Sequence, residues 1–118
     1  MAGHVYQGSC HCGAVRFSVE TALESPAQCN CSRCRRLGWT MQSVPAGKFV
    51  LSSGADRLTS YRFNTKAINH TFCSVCGIEA FASGEDGSGN ALYMVNVSCL
   101  EGASYDSAAV THWDGASF

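Results

Sequence analysis

The stretch Cys10-His11-Cys12-Gly13-Ala14-Val15-Arg16-Phe17-Ser18-Val19-Glu20 carries both signals that decide the fold. A Cys-X-Cys-Gly turn comes first, and strict alternation follows it: Val15, Phe17 and Val19 against Arg16, Ser18 and Glu20. That period of two is the pattern of a half-buried strand. Two more cysteine clusters lie downstream, Cys29-Asn30-Cys31-Ser32-Arg33-Cys34 and Cys73-Ser74-Val75-Cys76-Gly77, so seven of the eight cysteines fall in tight groups. Four plus three is the arithmetic of one closed tetrahedral zinc site and one open site, in which a coordination position is left for water or substrate.

Disulfides are the competing reading of an even cysteine count in a short chain. Residues 1–8 carry no charged leader and no apolar run of signal-peptide length, so export to an oxidising compartment is unsupported and a cytoplasmic setting is expected. Cysteines one residue apart on an extended segment also point to opposite faces, a poor geometry for bridging each other. Zinc is therefore preferred, as two ions: one structural, and one catalytic and more labile.

The 118 residues are read as one domain, 1–118, large enough for a modest core and short enough to gain from a metal staple. With 46% hydrophobic and 14% charged residues, the chain is neither a disordered tail nor a polyelectrolyte. No apolar run reaches membrane-spanning length. A formal charge of -1 supplies no global field for nucleic acid. Oligomeric state is not legible.

Further β-prone runs occupy residues 39–44, 58–63, 67–72, 78–83 and 92–97. Turn chemistry separates them at 24–26, 45–47 and 52–56, and the polar stretch 84–90 reads as a hairpin loop. One short helix is expected over residues 32–37, capped by Ser32 and ended by Gly38. Weaker helical turns are expected near 98–101 and 107–110. The expected architecture is mainly β, antiparallel, with one to three short helical turns and zinc knuckles.

In Cys73-X-X-Cys76-Gly77 the two sulfurs converge on one metal and the glycine permits the turn behind them. Cys10 and Cys12 supply the two missing ligands of that closed site. Cys29, Cys31 and Cys34 form a compact tripod across a strand end and a helical turn, and they are the candidate catalytic residues. Arg33, Arg35 and Arg36 crowd this cluster; each taken singly reads as a solvated helix residue, together as charge for substrate carboxylates. Cys99 reads as a small buried hydrophobe, with a fourth tripod ligand or a reactive thiol as alternatives. His4, His11 and His70 read as packing or outer residues. Among the histidines, His112 is the strongest candidate for a functional role.

Gly8-Ser9-Cys10-His11-Cys12-Gly13-Ala14-Val15-Arg16-Phe17, Cys29-Asn30-Cys31-Ser32-Arg33-Cys34-Arg35 and Phe72-Cys73-Ser74-Val75-Cys76-Gly77, in that order, resemble the glutathione-dependent formaldehyde-activating enzyme family, which includes centromere protein V. Val97-Ser98-Cys99-Leu100-Glu101-Gly102 and His112-Trp113-Asp114-Gly115 resemble its closing motifs. The resemblance implies a zinc-stapled β-tent, with Cys10, Cys12, Cys73 and Cys76 at the structural metal and Cys29, Cys31 and Cys34 at the catalytic one. It also implies a carbon-sulfur lyase joining or parting a thiol such as glutathione and a small aldehyde such as formaldehyde. The alternatives are a non-catalytic, zinc-stabilised binding module for a protein or nucleic-acid partner, and dithiol redox chemistry at Cys31-X-X-Cys34. The redox reading lacks the βαβ context of thioredoxin-like proteins.

Overall fold

The alternating stretch forms the centre of the smaller of two sheets. Strand β2 (Arg16–Thr21) buries Phe17, Val19 and Thr21 and turns the residues between them outward. It pairs antiparallel with β1 (His4–Ser9) and with β5 (Phe49–Ser53). The computed structural model describes residues 3–62, 68–86 and 88–114.

The larger sheet contains β3 (Ala27–Cys29), β4 (Met41–Pro45), β6 (Leu58–Tyr61), β7 (Asn69–Cys73), β8 (Phe81–Glu85), β9 (Ala91–Asn96) and β10 (Thr111–Trp113). Its seven strands run in the order β10-β3-β4-β9-β8-β7-β6. The fold is mainly β, as the patterning implies, with one departure: β10 lies parallel to β3, so the pairing is not antiparallel throughout. Among the described residues, helix α1 (Ser32–Leu37) is joined by 3-10 turns at Ala46–Lys48, Ala55–Arg57, Val97–Cys99 and Ser107–Ala109, two more short turns than patterning suggests.

Side chains alternate across the larger sheet, and this separates two cores. Phe81 and Val95, paired across β8 and β9, face the smaller sheet and pack with Phe17, Val19, Val44 and Phe49. There Phe49 stacks on Phe17 at 5.3 Å and on Tyr93 at 4.0 Å between ring centroids. Ala82 and Met94, the next pair, face the other way and pack with Ala27, Cys34, Trp39 and Met41. Cys10 and Cys73 belong to the first core, and Cys34 to the second. The cysteine clusters therefore sit against opposite faces of one sheet.

The hairpin read at 84–90 is present, with Glu85 opposite Ala91 and the Asp86 carboxylate accepting from the Ser88 and Asn90 N–H groups. The run read at 78–83 begins its strand only at Phe81; the Ile78 carbonyl is taken by the Cys73 N–H, which closes the turn after Cys73 in place of a ladder bond. Phe63, Ala67, Gly87 and Gly115, which fall within expected elements, lie outside the described residues. Among the described residues, no helix is long and apolar enough to cross a membrane.

Candidate metal centres and active site

The end of β1 and the end of β7 meet at the first sulfur cluster. The sulfurs of Cys10, Cys12, Cys73 and Cys76 all lie within 4.8 Å of one another. Cys12 Sγ is 3.6 Å from Cys10 Sγ and 3.7 Å from Cys73 Sγ. A disulfide would need about 2.05 Å. A tetrahedron with zinc-sulfur bonds of about 2.3 Å has edges of about 3.8 Å. The donor set and its spacing thus fit a metal ion and not a cross-link.

Gly13 and Gly77 take φ of 83° and 82°, so each turn folds back and aims its N–H groups at sulfur. Val15 N–H donates to Cys10 Sγ at 3.3 Å, and Val75 N–H to Cys73 Sγ at 3.4 Å. Burial opposes the Cys10 thiolate, but the Val15 N–H and the neighbouring thiols outweigh it and lower its pKa. The Cys12 and Ile78 N–H groups hold Cys76 down to about 6. Against the pull of the Ala14 N–H, burial and the surrounding sulfurs push Cys12 up to about 11. Such a cluster presents negative charge to a cation and sheds its remaining protons as the cation arrives.

The second cluster straddles β3 and α1. Cys29 ends the strand, Cys31 precedes the helix and Cys34 lies within it, their sulfurs also within 4.8 Å of one another. Helix capping differs from expectation. Cys31 is the N-cap, its sulfur accepting from Cys34 N–H at 3.3 Å, while Ser32 is already inside the helix. Gly38 ends the helix as expected, at φ 70° with its N–H on the Cys34 carbonyl. Cys31 N–H donates to Cys29 Sγ at 3.4 Å, and the Trp39 indole N–H to Cys34 Sγ at 3.3 Å. Burial pushes Cys34 up to about 12 and also raises Cys29; the Cys34 N–H and adjoining thiols overcome burial at Cys31 and lower it. Cys31 is therefore the thiol of this group that ionises first.

Among the described residues, no fourth ligand atom joins this tripod. Cys99 does not complete it. That residue packs on the first core, and burial with the charges of Cys10 and Cys76 raises its thiol to about 11. Its place is beside the four-sulfur cluster, as a half-buried apolar side chain.

A cleft of about 230 Å³ opens beside Cys29, lined by Gln28, Asn30, Arg35, His112 and Trp113. The parallel strand β10 builds its far wall, since Asn30 N–H bonds the Trp113 carbonyl and the Asn30 side chain donates to Asp114 Oδ1 at 3.0 Å. His112 and Arg35 thereby flank one end of the tripod. Arg36 is exposed and turned back on its own helix, donating to the Ser32 carbonyl at 2.7 Å. Arg33 is not a solvated helix residue: its guanidinium bonds Glu79, whose other carboxylate oxygen lies 3.4 Å from His70 Nδ1. Glu79, 2% exposed, escapes sequence reasoning because a lone glutamate within an apolar run carries no spacing signal. His70 faces this carboxylate, and His11 is exposed.

Comparison with known proteins agrees with this architecture. A crystal structure of a Rhodobacter sphaeroides protein superposes with a TM-score of 0.77 at 35% identity, over 91% of this chain and 98% of that one. The sequence model of one family, the glutathione-dependent formaldehyde-activating enzymes, matches residues 5–114. That span takes in both sulfur clusters, both sheets and the β10 wall of the cleft, and the chain belongs to the glutathione-dependent formaldehyde-activating enzyme family.

Proposed function

We propose that residues 1–118 are one zinc-binding domain acting as a carbon-sulfur lyase, which forms or cleaves the adduct between glutathione or a similar thiol and a small aldehyde such as formaldehyde. Cys10, Cys12, Cys73 and Cys76 hold a structural zinc ion, and Cys29, Cys31 and Cys34 hold a catalytic one. The observation that carries this reading is the three-sulfur group without a fourth ligand among the described residues, next to a cleft. A zinc ion held by Cys29, Cys31 and Cys34 would supply a Lewis acid that lowers the pKa of an incoming thiol.

The chain's own residues do the rest. Trp39 and the Cys31 and Cys34 N–H groups keep the three sulfurs in position. Arg35, on the cleft wall, pairs with a carboxylate of the thiol substrate. His112, across the cleft, takes the thiol proton and returns it to the aldehyde oxygen as the new carbon-sulfur bond forms. The balance is a thiol plus an aldehyde giving one hydroxyalkyl thioether; no electron acceptor takes part. Confining both reactants replaces a bimolecular encounter by a positioned attack. A reducing compartment such as the cytoplasm suits the eight free thiols.

Native mass spectrometry should find two zinc ions per chain, one of them lost first to a mild chelator. Exchange of label between free formaldehyde and its glutathione adduct should be accelerated by the two-zinc form and not by Cys31→Ser, which keeps one ion. Wild-type acceleration by Cys31→Ser sinks the proposal.

A further inference from the structure

Helix α1 is six residues long, far below the length at which a helix holds its own shape in water. It nevertheless carries Cys34 and is capped by Cys31, two of the three sulfurs in the open cluster. Its buried contact is Cys34 itself, packed with Trp39 and Met41. A second anchor leaves the helix at Arg33, whose guanidinium meets Glu79 Oε1 at 2.5 Å and lies 5.2 Å from the centre of the Tyr61 ring.

The other end of that anchor is fixed from several directions. Glu79 is 2% exposed and His70 is 5% exposed, and the second carboxylate oxygen faces the His70 ring. Asn96 Nδ2 donates to the Glu79 carbonyl at 3.0 Å, and Asn96 N–H to the Ala80 carbonyl at 2.8 Å. Three residues upstream is Cys76 of the four-sulfur cluster, and the turn between them closes through the Cys73 N–H. A buried carboxylate without a cationic partner is costly, so Glu79 holds Arg33 far more strictly than an exposed ion pair would.

We propose that Glu79 is a positioning residue that clamps α1 through Arg33, pre-arranges the three-sulfur cluster for its metal, and couples that cluster to the four-sulfur one. Its backbone is rooted in the turn that leaves the first cluster, and its carboxylate reaches the helix on the opposite face of the sheet. An ion in the four-sulfur cluster stiffens the turn, steadies Glu79 and tightens the second site; by linkage the second ion tightens the first. The metal arm of the test rests on the two-ion reading above, whereas the clamp itself does not.

The test uses full-length protein carrying one zinc ion, titrated with cobalt and followed by thiolate-to-metal absorption. In parallel, amide exchange is followed at Arg35 and Gly38, whose N–H groups bond the Cys31 and Cys34 carbonyls. Glu79→Gln should keep the first ion, bind cobalt about tenfold more weakly, and exchange those two amides faster, in line with residues that support metal ligands from behind. The double variant Arg33→Met with Glu79→Gln leaves no unpaired buried charge to unfold the domain, and it should show the same two losses. Wild-type cobalt affinity and exchange in either variant would overturn the proposal. Failure of the wild-type protein to take up cobalt would sink the two-ion reading instead, and slower α1 exchange in wild type than in the double variant would still uphold the clamp.

Discussion

The proposed two-ion arrangement predicts that the clusters contribute unequally to stability, and the cleanest comparison is the double variant Cys12→Ser with Cys76→Ser against Cys31→Ser. Cys12 is exposed and Cys76 half-buried, so replacing both opens no cavity in the core and leaves two thiolates, too few to hold the ion that ties the loop. Cys12 and Cys73 are 61 residues apart in sequence. Tying such a loop in the unfolded chain corresponds to about 4 kcal/mol by the cross-link entropy relation. Cys29 and Cys34 are only five residues apart, and the same relation gives about 2 kcal/mol. Serine at position 31 can still cap the helix, so little is added to that smaller figure. For a domain of this size, 4 kcal/mol is a large share of total stability and corresponds to a fall in Tm of roughly 15 °C. Urea denaturation at fixed free zinc, followed by far-ultraviolet circular dichroism, measures both variants. Equal losses, or a greater loss in Cys31→Ser, would refute the division into a stapling cluster and a working one.

Gly8→Ala should destabilise by about 2 kcal/mol, within the range for overpacking, because a Cβ there would lie 2.3 Å from the tip of Phe17, which is confined by Phe49 and Phe81; an unchanged urea midpoint would contradict it. The backbone N–H groups of Asn90 and Ser88 hold the Asp86 carboxyl below its ordinary 3.8. A carboxyl lowered on folding contributes stability that is present above its unfolded pKa and lost as pH falls through the lower, folded one. The difference in stability between wild type and Asp86→Ala should therefore be constant near neutrality and shrink on acidification, and an NMR titration placing Asp86 at or above 3.8 would remove its basis.

The grouping of the cysteines and the strand after the first of them were legible because both are local: ligand spacing and a period of two need only a few consecutive residues. Strands β1, β3, β5 and β10, which sequence patterning does not mark, borrow their structure from elsewhere; β5, paired with β2, takes in Ser52 and Ser53 of the expected turn at 52–56. Strands β3 and β10 are three residues each, and β10 exists only because β3 offers its edge in parallel, a pairing without a local sequence mark. In β1, Val5 is exposed while Gly8 is buried against Phe17, so hydrophobicity alone points to the wrong face. The N-cap was misplaced by one residue because cysteine is rarely counted among capping residues, yet a thiolate accepts an N–H as the hydroxyl of serine does.

The same distinction explains why the surroundings of the second cluster were harder to read than the sulfurs. A group able to hold a metal must bring its sulfurs within a few ångströms, and the chain achieves that by placing Cys29, Cys31 and Cys34 side by side. Supporting groups carry no such requirement. Trp39 comes from beyond the helix, His112 from the parallel strand, and Glu79 from the turn after the other cluster; each is fixed by the fold and not by proximity in sequence. A buried glutamate between two apolar residues is the least expected of the three, and its burial is tolerable only because Arg33 and His70 meet both oxygens. Sequence spacing thus locates where sulfur gathers, while the strand order decides which side chains surround it and what the tripod can hold.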